Sequence, residues 1–204
     1  MSLWAKAVPR WEDLTGRLSG ARLRLLSRSV VVLYEAGETQ KVSSSVTIQR
    51  ATRERLQDIR SFQSERYVDL FEKFLDEGHV GYLAYIDGIC VHRSWVVAGP
   101  ARVPLHRLMW RELRFREIFI HFCETAPRAR GRRVFPAVLS RILEEWPGRR
   151  VWMAIDASNT SSRRAAERAG FRPVEELVIV GLVGARFWWR RNRRRSLCGP
   201  PVES

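Results

Sequence analysis

Apolar positions along the chain recur with two periods, and the alternation of those periods outlines a mixed α/β protein. Ile118 to Thr125 (IFIHFCET) is an apolar run of strand length, followed by a turn at Ala126-Pro127. Phe135, Val138, Leu139, Ile142 and Trp146 then recur at helical spacing, which predicts a helix with one buried face that Pro147-Gly148 stops. Val80 to Ile86 and Ile89 to Val97 read as two strands around Asp87-Gly88, the strongest hairpin signal in the sequence, and Gly99-Pro100 closes the second. Val46 to Arg50 predicts a strand. Thr52 can cap the helix after it, with Glu54 favourably placed in the first turn. A second helix starts near Ser64, presents Tyr67, Val68, Phe71, Phe74 and Leu75 on one face, and ends at Gly78. Val151 to Ile155 is a short buried strand. Thr160 to Ala169 is a small helix with Ala165, Ala166 and Ala169 inward and Gly170 as a left-handed cap. Val174 to Val183 reads as the last long strand.

Other stretches carry weaker patterns. Trp4, Val8, Trp11 and Leu14 suggest a packed extension broken by Gly16 and Gly20. Arg22 to Tyr34 reads as a strand, or as a hairpin about Ser27-Arg28, and a polar loop runs from Ala36-Gly37 to Ser45. Val103 to Arg116 fits a polar loop or a short helix. From Arg190 onward the chain is expected to be disordered beyond the tryptophans.

The segment between the strand and the helix suggests chemistry. Gly131 lets the backbone come close to a ligand, and the first N–H groups of a helix have no internal partner. Together with the helix dipole they suit a phosphate or pyrophosphate, and Arg128, Arg130, Arg132 and Arg133 add full positive charge. A solvated arginine loop is the plain alternative, because one glycine is a weak motif.

A strand, then Ala126-Pro127, then Arg128-Ala129-Arg130-Gly131-Arg132-Arg133 running into a helix resembles the acyl-CoA-binding motif of the GNAT superfamily of N-acyltransferases. A second segment, Asn159-Thr160-Ser161-Ser162 followed by a short helix and Gly170-Phe171, resembles that family's N-x-x-S/A…G-F signature, with Asp156 on the strand before it. The two stand in the right order, separated by a helix and a strand, and the resemblance covers roughly residues 46 to 183. It implies a GNAT fold: an α/β (α+β) domain with a mixed, mostly antiparallel central sheet splayed at a cofactor cleft and helices on both faces. Residues 46–184 would form this acyltransferase domain, 1–45 a strand-containing N-terminal extension packed on it, and 185–204 a basic Arg/Trp-rich tail. Two positions depart from the pattern. Arg133 stands where a second Gly or Ala is usual, and Ala166 where many members carry a Tyr that protonates the departing thiolate.

Composition narrows the classes. The chain has 204 residues, 45% of them hydrophobic, enough for one ordinary domain with a core plus an extension. No apolar run approaches the roughly 18 residues of a membrane span, and the start has acidic residues without an apolar signal core, so a cytoplasmic protein is expected. Cys90, Cys123 and Cys198 are too scattered for a disulfide framework, and no cysteine lies at metal-ligand spacing from His79, His92, His106 or His121, so no metal is expected. The net charge is +14. The six arginines of ARFWWRRNRRRS leave about +8 elsewhere. Such a balance suits nucleic acid, anionic lipid or an acidic carrier protein, or serves solubility alone.

The resemblance implies direct transfer of an acetyl or other acyl group from acetyl-CoA to a primary amine on a small molecule or peptide. Donor binding would fall to Arg128, Ala129, Arg130, Gly131, Arg132, Arg133 and Val134, chiefly through backbone N–H groups. The free backbone of Cys123 to Thr125 would pair with the pantetheine arm, and Asn159 and Ser162 would meet it from across the cleft. His121, four residues before Thr125, is the first candidate general base, because its ordinary pKa near 6.5 suits proton removal at neutral pH. Glu124, on the opposite face by strand alternation, is the second. A structural histidine and a carboxylate answering nearby arginines are the respective alternatives. His92 and Trp95 could line the acceptor pocket, with packing the plainer role for Trp95. Cys123 reads as a small buried residue more than as a nucleophile. Two other functions compete: an acyl-carrier-protein-dependent acyltransferase, and a catalytically weak binding module whose arginine tail contacts nucleic acid or membrane. The acceptor, the acyl length and the oligomeric state are not legible, since acceptor sites in this family are built from variable segments, here 52–78 and 98–116.

Overall fold

The alternation of Ile118, Phe119, Ile120 and His121 is matched by burial against two different layers, one on each face of a central sheet. Residues 26–37, 42, 44–106, 109–182 and 185–192 are described by a computed structural model. These residues form ten strands: β1 (Leu26–Ala36), β2 (Thr47–Arg50), β3 (Val80–Ile86), β4 (Ile89–Ala98), β5 (Ala101–His106), β6 (Met109–Leu113), β7 (Glu117–Thr125), β8 (Arg150–Asp156), β9 (Phe171–Leu182) and β10 (Ala185–Asn192). Among the described residues the α-helices are α1 (Arg66–Asp76), α2 (Val134–Glu145) and α3 (Thr160–Arg168), and Glu54–Ser61 is 3-10 helix. Eight strands make one sheet in the order β10-β9-β1-β8-β7-β4-β3-β2, and β5-β6 form a separate hairpin. Every pair in the large sheet is antiparallel except β7 with β8, which α2 connects as a crossover.

One face is covered by α2 and α3. Val138, Leu139 and Ile142 pack there with Val32, Tyr34, Tyr82, Ile118, Ile120 and Met153. Beneath the other face, Leu56 and Ile59 of the 3-10 helix and Phe71 and Phe74 of α1 meet Leu83 and Trp95. Further along that second face, Val103, Leu105, Met109 and Leu113 of the hairpin cover Leu33, Phe119, Trp152, Leu177 and Ile179. These clusters account for the apolar spacing of both helices and strands. The β3–β4 turn behaves as its residues demand, with positive φ at Asp87 (50°) and Gly88 (75°). Thr52 Oγ1 accepts a long bond from the Arg55 N–H at 3.4 Å, at the start of a 3-10 helix where a helix was expected.

Two segments differ from the sequence expectation, and at a third the structure selects one of the two readings. Residues 103–116, expected as a polar loop or short helix, contain the β5–β6 hairpin. Val103, Leu105, Met109 and Leu113 bury one side, while Pro104 and the intervening arginines obscure the period of two. The stretch ending at Tyr34 is one strand from Leu26, without a hairpin at Ser27-Arg28, because β9 pairs with it from Leu26 to Ala36 and β8 joins on the other side from Val31 to Glu35. Beyond Arg190 the chain stays in strand to Asn192, since β10 pairs with β9 from Ala185 to Asn192. The expectations for residues 1–25, and for the tail from 193 onward, lie outside the described residues.

Candidate functional site

Strands β7 and β8 run together only from Glu117 to Ile120, paired with Arg150 to Met153. Phe122 then takes a left-handed conformation (φ 47°), and a shift in the β4–β7 register falls between Arg93 and Trp95. Past this kink β7 stays with β4, where Glu124 faces Arg93 and Thr125 faces His92, while β8 stays with β1 up to Asp156. The backbone of His121 to Thr125 therefore has no strand partner on its β8 side among the described residues. The sheet is open there, at the carboxyl ends of two parallel strands.

The amino ends of α2 and α3 lie at this same end of the sheet. Pro127 to Ala129 form a 3-10 turn, in which the Ala129 N–H donates to the Ala126 carbonyl at 2.9 Å and the Arg130 N–H to Pro127 at 3.3 Å. Ala129 is buried, and its N–H is used inside the turn. The N–H groups of Gly131, Arg133, Val134 and Phe135 find no backbone acceptor among the described residues. They precede or open the helix, where the dipole favours an anion. Gly131 has φ 81°, and a Cβ there would meet nothing within 4 Å, so the loop is open as well as left-handed.

Charge is distributed unevenly over the molecule. Arg50, Arg53, Arg60, Arg93, Arg141, Arg150 and Arg190 are all in ion pairs. Arg128, Arg130, Arg132 and Arg133 are exposed, and no carboxylate lies within ion-pair distance of them among the described residues. Arg128 and Arg130 donate to backbone carbonyls, of Cys90 at 3.5 Å and Thr125 at 3.4 Å. Arg133 is left-handed too (φ 57°), which for a side chain with a Cβ costs about 1 kcal/mol. Arg133→Gly is accordingly expected to raise stability in urea unfolding by roughly that amount, and to weaken polyphosphate binding. Loss of stability in that variant would contradict the strain argument.

Across the opening, Asn159 caps α3. Its Oδ1 accepts from the Ser162 N–H at 3.1 Å and from the Ser161 hydroxyl at 3.0 Å, leaving the amide nitrogen to donate outward. The Tyr34 hydroxyl ties α3 to β1 by donating to Glu167 and accepting from Arg163, both at 3.0 Å. Ala166 is fully buried in the core beneath, so the helix offers no hydroxyl at that position.

Beside the opening, on the α2 face, His92 is buried between Thr125 (Nδ1 to Oγ1, 2.7 Å) and Ser94 (Nε2 to Oγ, 2.8 Å) and stacks on Phe135. Burial pushes its pKa down to about 3, so it is neutral and holds Thr125 in place. Cys123 is half-buried, and burial raises its thiol to about 11, which makes it inert as a nucleophile at neutral pH. Trp95 is wholly buried in the core.

The opposite face holds a group that sequence reasoning missed. Arg93, buried to 3% side-chain exposure, donates to Glu124 at 2.9 Å, to Gln63 Oε1 at 3.1 Å and to the Phe122 carbonyl. Its guanidinium lies over the rings of Tyr67 (5.1 Å) and Phe71 (4.7 Å). Polar residues inside an apolar strand (His92, Arg93 and Ser94 within ICVHRSWVV) were the available signal. Glu124 keeps 31% of its side chain exposed. His121 lies deeper, packed edge-on against Phe74 (5.2 Å) and His79 (5.0 Å). Burial, with His79 and Arg93 as lesser causes, holds His121 well below its ordinary pKa, and burial brings His79 down to about 4. The structure brings Cys123, Glu124, Thr125, the 128–134 loop, Asn159 and Ser162 to one end of the sheet and encloses His121 beneath it.

No family profile matches the sequence, and no curated protein does. Solved structures do match. An acetyltransferase of the GNAT family from Colwellia psychrerythraea superposes with a TM-score of 0.58 at 12% identity, over 80% of this chain and 57% of that one. A GCN5-related N-acetyltransferase-like protein from Streptococcus suis gives 0.52 at 16% identity, over 84% and 67%. An acetyltransferase assigned to the GNAT family from Novosphingobium aromaticivorans gives 0.51 at 16%, over 81% and 71%. The chain thus spans little more than half the length of the first of these. At such identities the likeness establishes the fold, which is the GNAT fold.

Proposed function

We propose that this chain is an N-acyltransferase that moves an acetyl or other acyl group from acyl-CoA directly to a primary amine. The observation that carries the proposal is the parting of β7 from β8 beside a helix mouth where four N–H groups have no backbone acceptor, and four exposed arginines no carboxylate, among the described residues. A free strand edge and a cationic, open glycine loop fit a pantetheine arm and a diphosphate. Acetyl-CoA would supply the acyl group already activated as a thioester.

In this reading the N–H groups of Gly131, Arg133, Val134 and Phe135 hold the diphosphate, with Arg128, Arg130, Arg132 and Arg133 as charge around it. The backbone of Cys123 to Thr125 aligns the arm, and the Asn159 amide meets it from α3. Glu124 accepts the ammonium proton, directly or through one water, because it is the carboxylate on the cleft strand that reaches solvent. Arg93 fixes that carboxylate, and His121 is a positioning residue that supports the kink at Phe122. The segment holding Gln63 and Tyr67 would form one wall of the amine site. The same cleft would accept a pantetheine arm on an acidic carrier protein, a donor that strongly salt-dependent activity would reveal.

The test is free-thiol release from acetyl-CoA with a panel of amino sugars, polyamines and lysine peptides. Release above the hydrolytic background with at least one amine is expected. Background rates with every amine and every acyl donor would overturn the proposal.

A further inference from the structure

We propose that the outer edge of the sheet, strand β10, docks the protein on an anionic membrane surface. This inference is independent of the acyltransferase reading. The large hydrophobic side chains left exposed among the described residues are Ile89, Phe115, Phe187, Trp188 and Trp189, and three of the five are consecutive on β10 at 58%, 53% and 49% exposure. Single exposed apolar residues are ordinary, but three adjacent aromatics on an edge strand are not. Strand alternation puts Phe187 and Trp189 on one face and Trp188 on the other. The exposure therefore belongs to the edge itself and not to one uncovered face.

The charge that adjoins these rings in sequence identifies the partner. Residues 185–195 contain six arginines and no acid. Arg190 is held by Glu175 across the strand pair at 3.4 Å, while Arg191 is exposed. Tryptophan and arginine together suit the headgroup layer: the rings sit at the polar–apolar boundary and the guanidinium groups meet lipid phosphates. A sheet meeting the bilayer edgewise places the aromatics of both faces at one depth. It also leaves the unpaired N–H and C=O groups of the edge in hydrated surroundings, where they are satisfied.

Two other occupants fit less well. A nucleic-acid strand stacked on either face would meet two rings at most. A second copy paired antiparallel about Trp188 and Trp189 would set Arg186 opposite Arg191, and like charges directly opposite are destabilising. The order β10-β9-β1-β8-β7 puts the opening between β8 and β7 roughly 15–20 Å from the docked edge, so docking leaves the cleft clear.

The test is co-sedimentation of the full chain with phosphatidylcholine vesicles, with and without phosphatidylglycerol, alongside the double variants Trp188→Ser/Trp189→Ser and Arg190→Gln/Arg191→Gln. Wild type is expected to bind the phosphatidylglycerol vesicles at least about tenfold more tightly than pure phosphatidylcholine, with added salt weakening the binding. Both variants are expected to lose most of it while keeping wild-type circular dichroism. Should a variant not fold, quenching of wild-type tryptophan fluorescence by brominated lipid supplies the reading, with quenching expected on anionic vesicles. Failure of wild type to sediment with anionic vesicles, or equal binding by correctly folded variants, overturns the proposal. A single-stranded oligonucleotide that displaces the protein from vesicles at lower concentration than soluble phosphatidylglycerol, or a dimer abolished by the tryptophan variant, overturns it in favour of those partners.

Discussion

Glu124→Gln is expected to lower kcat with any accepted amine by about 10²- to 10³-fold, the contribution of a positioned general base. The glutamine keeps the size of the side chain and an oxygen for the Arg93 guanidinium, which now binds Glu124 at 2.9 Å. What it removes is the ability to take a proton. The affinity for acetyl-CoA should be unchanged, because the 128–135 loop is untouched. His121→Gln is the matching control. Its ring is enclosed by Phe74, His79 and Phe122 and its exposure is only 7%, so no route brings an amine to it. That variant is expected to lower the rate less than about tenfold once its stability is matched, since it acts through the shape of the kink. A large loss with His121→Gln and a small one with Glu124→Gln would reverse the assignment.

Acid is expected to unfold this protein earlier than most. Folding pushes His79 down from its ordinary pKa to about 4 and His92 to about 3, both by desolvation, and His121 moves in the same direction. The unfolded chain binds protons at these groups near pH 6.5 and the folded chain does not. Their stabilisation is therefore fully present above pH 6.5 and is lost as pH falls toward 4 and then 3. Each histidine contributes a slope of up to about 1.4 kcal/mol per pH unit in that window. Discounted for relaxation and water entry, the combined loss from pH 7 to pH 5 is of order 3 kcal/mol, a large share of a typical domain's stability. Urea unfolding at several pH values measures it, and His79→Phe should flatten the slope by one proton. A profile flat between pH 7 and pH 5 would contradict the burial argument for all three rings.

Local features of the fold were legible, and those that depend on distant partners were not. Asp87-Gly88 announces its hairpin because both residues tolerate positive φ, and the 128–133 loop stands out because glycine, arginines and a helix start lie together in sequence. By contrast, the central place of β1 rests on pairing with β8 and β9, more than 100 residues away, which no local period encodes. The β5–β6 hairpin was hidden by Pro104 and by Arg111, which shares the inner side with Val103 and lies over the Trp152 ring at 3.7 Å. The link between Arg93 and Glu124 joins two strands and depends on the kink at Phe122, so neither residue signals the other in sequence. Alternation along β7 did place Glu124 and His121 on different sides, but in a regular strand. The left-handed Phe122 breaks that register and turns Glu124 toward Arg93 on the α1 side, which strict alternation assigned to His121 alone.

In the proposed enzyme the amino end of α2, with Gly131 and the arginines at 128, 130, 132 and 133, binds the CoA moiety together with the free edge of β7. Isothermal titration of the chain with acetyl-CoA, beside a variant with Arg128, Arg130, Arg132 and Arg133 all changed to Gln, tests it most directly. Saturable one-to-one binding in the micromolar range that weakens at least about thirtyfold in the variant is the expected result, two kcal/mol shared among four exposed charges. Absence of heat at millimolar acetyl-CoA, or equal affinity in the two proteins, would contradict the account.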